Sequence, residues 1–240
     1  MPYRVLNIDD VAEYLHVSRR DVELLVRRGE IPCERQGERC VFRKQEIEGW
    51  ASQRILGLKD RGLAAYHGVS SEKARKVSDH AAIIPNLLQP EFMDPALPSK
   101  TRASVLRDVD ALADCTGLVS DPKDLLQGLV EREELCSTGL PGGLALLHAR
   151  RHNPYLLVGS FMVFCRTVRP IPFGAPDGQP TELFFLICCQ DDQCHLHALA
   201  RLCMMAQSTE LLSQLRQAPA DAEAMYRCIV EAEEAVIRKK

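Results

Sequence analysis

The sequence predicts an α/β sandwich preceded by a small winged helix-turn-helix domain. Two amphipathic helices with a tight turn between them, followed by a hairpin, occupy residues 1–57. From residue 84 to 238, helices with apolar stripes alternate with short apolar strands. Residues 58–83 have mixed charge and no continuous apolar face, so we expect a linker there.

The overall composition excludes several protein classes. A net charge of −3 argues against a polyanion-binding surface over the whole chain. No run of 18 apolar residues is present, and the first ten residues lack an apolar signal region, so neither a membrane span nor secretion is expected. Ten scattered cysteines show no regular spacing, which favours reduced thiols in a cytoplasmic protein.

The first two helices are predicted from periodicity and caps. The helix Asn7 to Leu15 presents one apolar face, formed by Ile8, Val11, Ala12 and Leu15. Ser18 is a favourable N-cap for a second helix, Arg19 to Arg28, and Gly29 is its predicted C-cap. This second helix is the predicted recognition helix.

A hairpin and a third helix follow. The segments Cys33 to Arg35 and Cys40 to Phe42 are predicted strands, with Gln36 to Arg39 as the tip between them. The third helix is expected from Lys44 to about Arg54, with Ile47 and Trp50 facing inward.

Residues 4–55 resemble the excisionase-type DNA-binding domains, which are related to the MerR group. The matching features, in chain order, are Asp10, Ala12, Leu15, Val17, Ser18, Arg28, Gly29, Ile31, Pro32, Phe42, Ile47 and Trp50. The resemblance implies binding of duplex DNA through Ser18, Arg19, Arg20, Arg27, Arg28 and Arg39. Residues 1–59 carry eleven Lys or Arg against ten Asp or Glu, so binding requires sorting of charge to one face. The alternatives are solvated surface charges or a protein-contact role.

The second domain is predicted element by element. Ile83–Ile84 and Leu87–Leu88 are expected as an edge strand or turn. The predicted helices are Thr101 to Cys115, Lys123 to Leu135 (with the Asp121 cap and Pro122), His195 to Ala206, Ser208 to Gln217 and Asp221 to Arg238. The predicted strands are Leu144 to Leu147, Tyr155 to Cys165 and Thr181 to Cys189. Neither His67 nor His80 has a partner pattern, and both are expected to be exposed.

The stretch Glu131 to Arg150 concentrates the reactive residues. A loop rich in Gly and Pro leads into the apolar run Leu144 to Leu147, which delivers His148 at a strand end; Arg150 follows two residues later. Imidazole is a nucleophile near neutral pH, and guanidinium groups suit phosphate oxygens. From spacing alone, a lone histidine at the end of an apolar run is more often a structural residue than a nucleophile.

This stretch resembles the active-site signature of the type-2 enzyme IIA domains of the bacterial phosphotransferase system, the fructose, mannitol and nitrogen-related group. The residues in register are Arg132, Glu133, Leu135, Ser137, Thr138, Gly143 and His148; Leu147 replaces the proline that the family usually has. The resemblance extends over Ile84 to Val236 and implies a mixed sheet with flanking helices.

The same resemblance assigns roles. His148 is implied as the phosphoryl acceptor, His195 as its hydrogen-bond partner and Arg132 as a charge partner. The implied partner is an HPr-like phosphocarrier protein, and no cofactor is expected.

A metal site is an alternative role for the cysteines and histidines between residues 188 and 197. Cys188, Cys189, Cys194, His195 and His197 lie close in sequence, but their spacing matches no strong zinc pattern. Adjacent cysteines on a strand also point to opposite faces. We therefore expect no metal site.

Two functional hypotheses remain open. In the first, a histidine phosphocarrier domain accepts a phosphoryl group and modulates an attached DNA-binding domain. In the second, the IIA-like domain of a DNA-binding or scaffold protein no longer transfers phosphate and only docks partners. Retention of Arg132, His148 and His195 favours the first, whereas Leu147 and the attached DNA-binding module favour the second.

Overall fold

The N-terminal part forms the predicted helix-turn-helix with a wing. The computed structural model describes residues 5–15, 17–37, 39–57, 62–68, 82–149 and 155–238. The N-terminal elements are β1 (Val5–Leu6), α1 (Ile8–Leu15), α2 (Arg19–Arg28), β2 (Glu34–Gln36), β3 (Arg39–Arg43) and α3 (Lys44–Gly57). The three strands pair antiparallel in the order β1-β3-β2.

Local signals fix both ends of α2. The Ser18 side chain accepts a hydrogen bond from the Asp21 backbone, and the Asp21 carboxylate accepts one from the Ser18 backbone, which completes a capping box. Gly29 ends the helix at φ 67°, a left-handed conformation that glycine adopts without steric cost. Both predicted caps are confirmed.

The second domain begins after a helical segment at residues 62–68, here α4. Its helices are α5 (Ile84–Leu87), α6 (Arg102–Asp114), α7 (Pro122–Leu135), α8 (Asp192–Ser208), α9 (Leu211–Gln217) and α10 (Ala222–Arg238), with a 3-10 turn at Pro90–Phe92. Its strands are β4 (Met93–Leu97), β5 (Gly139–Leu140), β6 (Leu144–Leu147), β7 (Phe161–Ile171) and β8 (Thr181–Cys188).

The five strands form one mixed sheet in the order β4-β7-β8-β6-β5. The pairs β4–β7 and β6–β8 are parallel, and the other two pairs are antiparallel. Alternate side chains separate into two cores. Phe164 and Phe185 pack towards α8 and α10 in a core continuous with that of the helix-turn-helix, whereas Val163 and Phe184 pack with α6 and α7. The predicted sandwich is confirmed.

Of the two alternatives for Ile83–Leu88, an edge strand or a turn, the strand is wrong. This segment is α5, and its first N–H groups, those of Ile83 and Ile84, donate to the buried Glu233 carboxylate. The edge strand β4 lies further along the chain. It was missed because Asp94 and Pro95 are depleted in strands, although proline is tolerated at a sheet edge.

Two other predictions need correction. The strand expected at Tyr155 to Cys165 begins only at Phe161, and Tyr155 is 88% exposed. His67, expected to be exposed, is buried and contacts Arg201. Its partner lies 134 positions away, too far for any local pattern to show. His80 and Arg150 lie outside the described residues. Within the described part of the chain, no helix is long and apolar enough to cross a membrane.

Candidate functional site

His148 sits at the carboxyl end of β6, on the edge facing the start of α8. Leu147 pairs with Leu186 of β8 and is buried against the α6–α7 layer. Strand pairing and burial therefore fix the backbone just before His148, a constraint that proline would otherwise supply. The His148 side chain is only 3% exposed.

The hydrogen bonds of His148 define its protonation state. The Arg132 Nε–H donates to His148 Nε2 at 3.0 Å, and His148 Nδ1 lies 3.0 Å from the Leu146 carbonyl oxygen. Because arginine can only donate, Nε2 carries the lone pair and Nδ1 carries the proton. Burial lowers the pKa of His148 well below its usual value, and His195 and Arg132 lower it further. The imidazole is therefore neutral, with its nucleophilic nitrogen facing Arg132.

Arg132, in the last turn of α7, places a guanidinium group beside His148. It is 2% exposed, and its Nη1 donates to the Cys136 carbonyl at 2.9 Å. Its Nη2 is buried without a hydrogen-bond partner, and no carboxylate of the described residues lies within ion-pair distance. Buried polar groups are normally satisfied, so a spare guanidinium nitrogen beside a nucleophile is suited to an incoming anion.

His195 completes the group from the first turn of α8. Its ring centroid lies 5.1 Å from that of His148, at an interplanar angle of 59°. The Asp191 carboxylate caps α8 by accepting from the Cys194 backbone at 2.7 Å, which fixes the position of this turn. The structure thus brings together Arg132, His148 and His195, which are separated by up to 63 positions in the sequence.

The other signature residues hold the loop. The Glu133 carboxylate is buried and accepts from the Thr138 backbone at 3.0 Å and from its hydroxyl at 2.6 Å. Ser137 donates its hydroxyl to the Phe173 carbonyl at 2.7 Å. These bonds tie the end of α7 to β5 and so position Arg132 relative to His148.

The N-terminal domain forms one wall of the site. Ser52 of α3 places its Oγ 3.4 Å from His195 Nε2. Lys44, at the start of the same helix, pairs with Asp192 at 2.6 Å and with Glu48 at 3.1 Å. Gln53 Nε2 donates to Cys136 Sγ at 3.3 Å. Sequence reasoning missed this wall, because none of the α3 residues carries a pattern that indicates a partner in the second domain.

Together the two domains line a partly open cavity of about 60 Å³. Its lining includes Glu48, Gly49 and Ser52 from α3 and Arg132, His148 and His195 from the second domain. Tyr14 of α1 also lines it. Burial raises the pKa of Tyr14, and the carboxylates of Asp192 and Glu48 raise it further, so its hydroxyl stays protonated.

The candidate DNA-binding residues lie apart from this cavity, on α2 and the wing. The side chains of Arg20, Arg27 and Arg39 are exposed. Arg19 pairs with Asp9 at 2.6 Å and with Glu23 at 3.0 Å, and Arg28 lies 3.8 Å from Glu30. The Ser18 hydroxyl donates to Asp21 at 2.6 Å, so its place in the fold is that of a helix cap.

The five candidate metal ligands do not surround a common point. Cys188 packs in the α6–α7 core and Cys189 in the α8–α10 core, on opposite faces of the sheet. Among the residues that the structure describes, no group of three or more His, Cys, Asp or Glu side chains could hold a metal ion.

Both domains of this chain are similar to known proteins. Residues 5–55 match the family model described as helix-turn-helix domain. A nitrogen regulatory protein from Bradyrhizobium diazoefficiens is 33% identical over 146 residues, covering 60% of this chain and 92% of that protein.

Solved structures share the fold of the second domain. The nitrogen regulatory protein IIA-Ntr from Neisseria meningitidis superposes with a TM-score of 0.55 at 24% identity, covering 62% of this chain and 99% of that one. IIA mannitol from Escherichia coli, in its complex with phosphorylated IIB mannitol, gives a TM-score of 0.53 at 17% identity, covering 60% of this chain and 97% of that one.

Residues 86–231 match the family model described as phosphoenolpyruvate-dependent sugar phosphotransferase system, EIIA 2. This match spans more than half of the chain and contains Arg132, His148 and His195. The chain therefore belongs to the type-2 enzyme IIA family of the phosphotransferase system, joined to an N-terminal helix-turn-helix domain.

Proposed function

We propose that this chain is a phosphotransferase-linked regulator of the bacterial cytoplasm. In this proposal His148 accepts a phosphoryl group from HPr or a paralogue, and its phosphorylation state modulates the attached DNA-binding domain. The observation that carries the proposal is the neutral His148 imidazole, with Nε2 presented beside the unpaired Arg132 Nη2.

The transfer balances without a cofactor. Arg132 Nε–H first releases the Nε2 lone pair of His148, which then attacks the phosphorus of a phosphohistidine on the donor; a new N–P bond forms while the donor N–P bond breaks. The Nδ1 proton stays on His148, held by the Leu146 carbonyl, so the acceptor ring needs no separate base. The donor imidazole leaves with the electron pair of the broken bond.

The cationic and polar side chains beside His148 suit the negative charge of a phosphoryl group. A transferring phosphoryl group carries negative charge on its three outer oxygens, and fixed donors stabilise it without reorganisation. Arg132 offers Nη2, and the ring of His195 lies at 5.1 Å. A fold neighbour, IIA mannitol, has been solved in complex with a phosphorylated protein, which supports a protein as the exchange partner here.

Incubation with phosphoenolpyruvate, enzyme I and HPr, followed by intact mass, tests the proposal. We expect a gain of one acid-labile phosphate in the wild type and none in His148→Ala. His67→Ala is the matched control, because His67 is also a buried histidine hydrogen-bonded to an arginine. A label that survives His148→Ala contradicts the assignment.

For the N-terminal domain we propose binding of duplex DNA through α2. Arg20 and Arg27 are exposed on this helix. Each phosphate they neutralise releases counterions, so affinity should fall steeply with salt. Titration of the full chain against its own promoter DNA, with Arg20→Ala/Arg27→Ala beside the wild type, measures this. Absence of salt-sensitive binding favours a protein-contact role.

A docking-only function is the second candidate, and one observation favours it. His148 is 3% exposed beneath the helix-turn-helix, so the acceptor nitrogen is not presented to a protein donor in this arrangement. The phosphorylation experiment separates the two, since a docking-only domain gains no phosphate.

A further inference from the structure

The cavity at His148 is bounded by two domains, and only one of them belongs to the enzyme IIA fold. On the IIA side lie Arg132, His148 and His195; on the other side lie Glu48, Gly49 and Ser52 of α3. For transfer, the phosphohistidine of a donor protein must approach Nε2 of His148. The donor surface around that phosphohistidine must therefore lie against the mouth of the His148 cavity. In the described arrangement α3 lies at that place, within 3.4 Å of His195.

The contact between α3 and α8 combines an apolar core, shared by the buried residues of both helices, with a charged edge beside the His148 cavity. Its strongest point is Lys44, which lies between Asp192 on α8 and Glu48 on its own helix. Burial lowers the pKa of Lys44, but its bonds to Asp192 and Glu48 outweigh this and hold the pKa above its usual value. The charged edge lies at the mouth of the cavity, so a change of charge at His148 acts directly on this part of the contact.

We propose that the helix-turn-helix domain is a gate on the phosphoryl site. Docked through α3, it closes the His148 pocket to the donor protein; a phosphoryl group on His148 displaces it. This inference rests on the proposed function, since it describes how that same site is regulated. It makes the enzyme IIA face a shared surface, which either the DNA-binding domain or a phosphocarrier protein occupies.

Charge acts against docking in the phosphorylated form. Phosphorylation adds roughly −1.5 to −2 charges at neutral pH, by analogy with other phosphorylated side chains. Around the cavity that charge meets Arg132 and His195, but also the carboxylates of Asp192 and Glu48, which both pair with Lys44. Glu48 and Ser52 line the α3 side of the cavity, so the added charge lies against α3.

Separation of α3 from α8 changes the position of the DNA-binding domain relative to the second domain, while the structure of α2 stays the same. The arginines of α2 are exposed in the docked form, whereas Ser52 of α3 is 4% exposed and lies 3.4 Å from His195 of α8. Release of α3 therefore changes the orientation of α2 relative to the second domain. DNA affinity or geometry then depends on the state of His148.

Single-turnover labelling of the full chain by limiting phosphorylated HPr tests the gate. Lys44→Glu replaces the attraction to Asp192 with repulsion, so it should open the contact and speed labelling at least tenfold. Arg54→Glu makes the same charge reversal on the same helix but lies away from the cavity, and should stay within twofold of the wild type. If Lys44→Glu fails to fold, Ser52→Gln, which adds bulk against His195, takes its place.

Hydrogen exchange of the wild type supplies a second readout. In the phosphorylated form, peptides of α3 and of the first turn of α8 should exchange faster, while β7 in the sheet core stays protected. Lys44→Glu labelling at or below the wild-type rate, with both proteins fully labelled at the end point, overturns the gate and leaves the phosphoryl acceptor in place. Failure of both proteins to gain any phosphate overturns the proposed function and the gate together.

Discussion

Two buried histidine–arginine pairs lie along α8, and they differ in how the arginine charge is balanced. At the cavity, Arg132 Nε donates to His148 Nε2 at 3.0 Å. On the other side of α8, Arg201 Nε donates to His67 Nε2 at 2.8 Å. The second pair continues to a carboxylate, because Arg201 Nη1 lies 2.8 Å from Glu233 Oε1. The first pair has no carboxylate partner among the described residues and leaves Arg132 Nη2 without a hydrogen bond.

The difference indicates which pair is structural and which awaits a ligand. Glu233 also accepts from the Ile83 and Ile84 backbone, so the Arg201 network joins α4, α5, α8 and α10 into one satisfied unit. Arg132 keeps a buried charge whose remaining donor has no hydrogen-bond partner among the described residues. An anion at His148, as the proposed function requires, would complete the pattern that Glu233 completes at Arg201.

The largest effect is expected on the rate of phosphoryl transfer when Arg132 is replaced. Arg132→Ala should slow phosphoryl transfer to His148 by about 10² to 10⁴, the range for losing a positioned charged donor, and His195→Ala should fall in the same range. Single-turnover quench-flow against phosphorylated HPr measures the rates. Arg169→Ala, an exposed arginine of β7, is the control and should transfer at the wild-type rate. Unchanged rates in both site variants would remove Arg132 and His195 from the site.

The Arg201 network should respond in stability. Glu233→Ala removes the carboxylate that pairs with the buried Arg201 guanidinium, so the free energy of unfolding should fall by about 3 to 5 kcal/mol. The adjacent Glu234→Ala removes an exposed pair with Arg238 and should cost about 0 to 0.5 kcal/mol. Urea denaturation measures both. Equal losses in the two variants contradict a specific role for the buried carboxylate.

A smaller effect should appear in the pH dependence of stability. The folded pKa of His148 lies below its unfolded value, mainly through burial, so the unfolded chain takes up the proton first. Stability is therefore complete above about pH 6.5 and falls as the pH drops below it. Relative to His148→Gln, the wild type should lose up to about 1.4 kcal/mol more per pH unit in that window. Urea midpoints from pH 8 to 5 measure this, and parallel curves for the two proteins exclude it.

Local signals in the sequence predicted most elements. The cap at Ser18, the stop at Gly29, the Asp121–Pro122 helix start and the apolar run Leu144–Leu147 all appear as predicted, because each depends on neighbours within four residues. The strand β4 escaped prediction, because Asp94 and Pro95 suit an edge position that only the assembled sheet creates.

By itself, the sequence predicted the two domains, the caps of α2 and α7 and most of the strands, and its resemblance to a known family indicated Arg132, His148 and His195 as candidate site residues. Only the tertiary structure decided that α3 of the first domain covers the site of the second, that His67 is buried against Arg201, and that Arg132 keeps an unpaired nitrogen. The physical reason is the range of the forces involved. Caps and periodicity act between near neighbours, whereas burial, ion pairing and the balance of buried charge depend on side chains that chain folding brings together from distant positions.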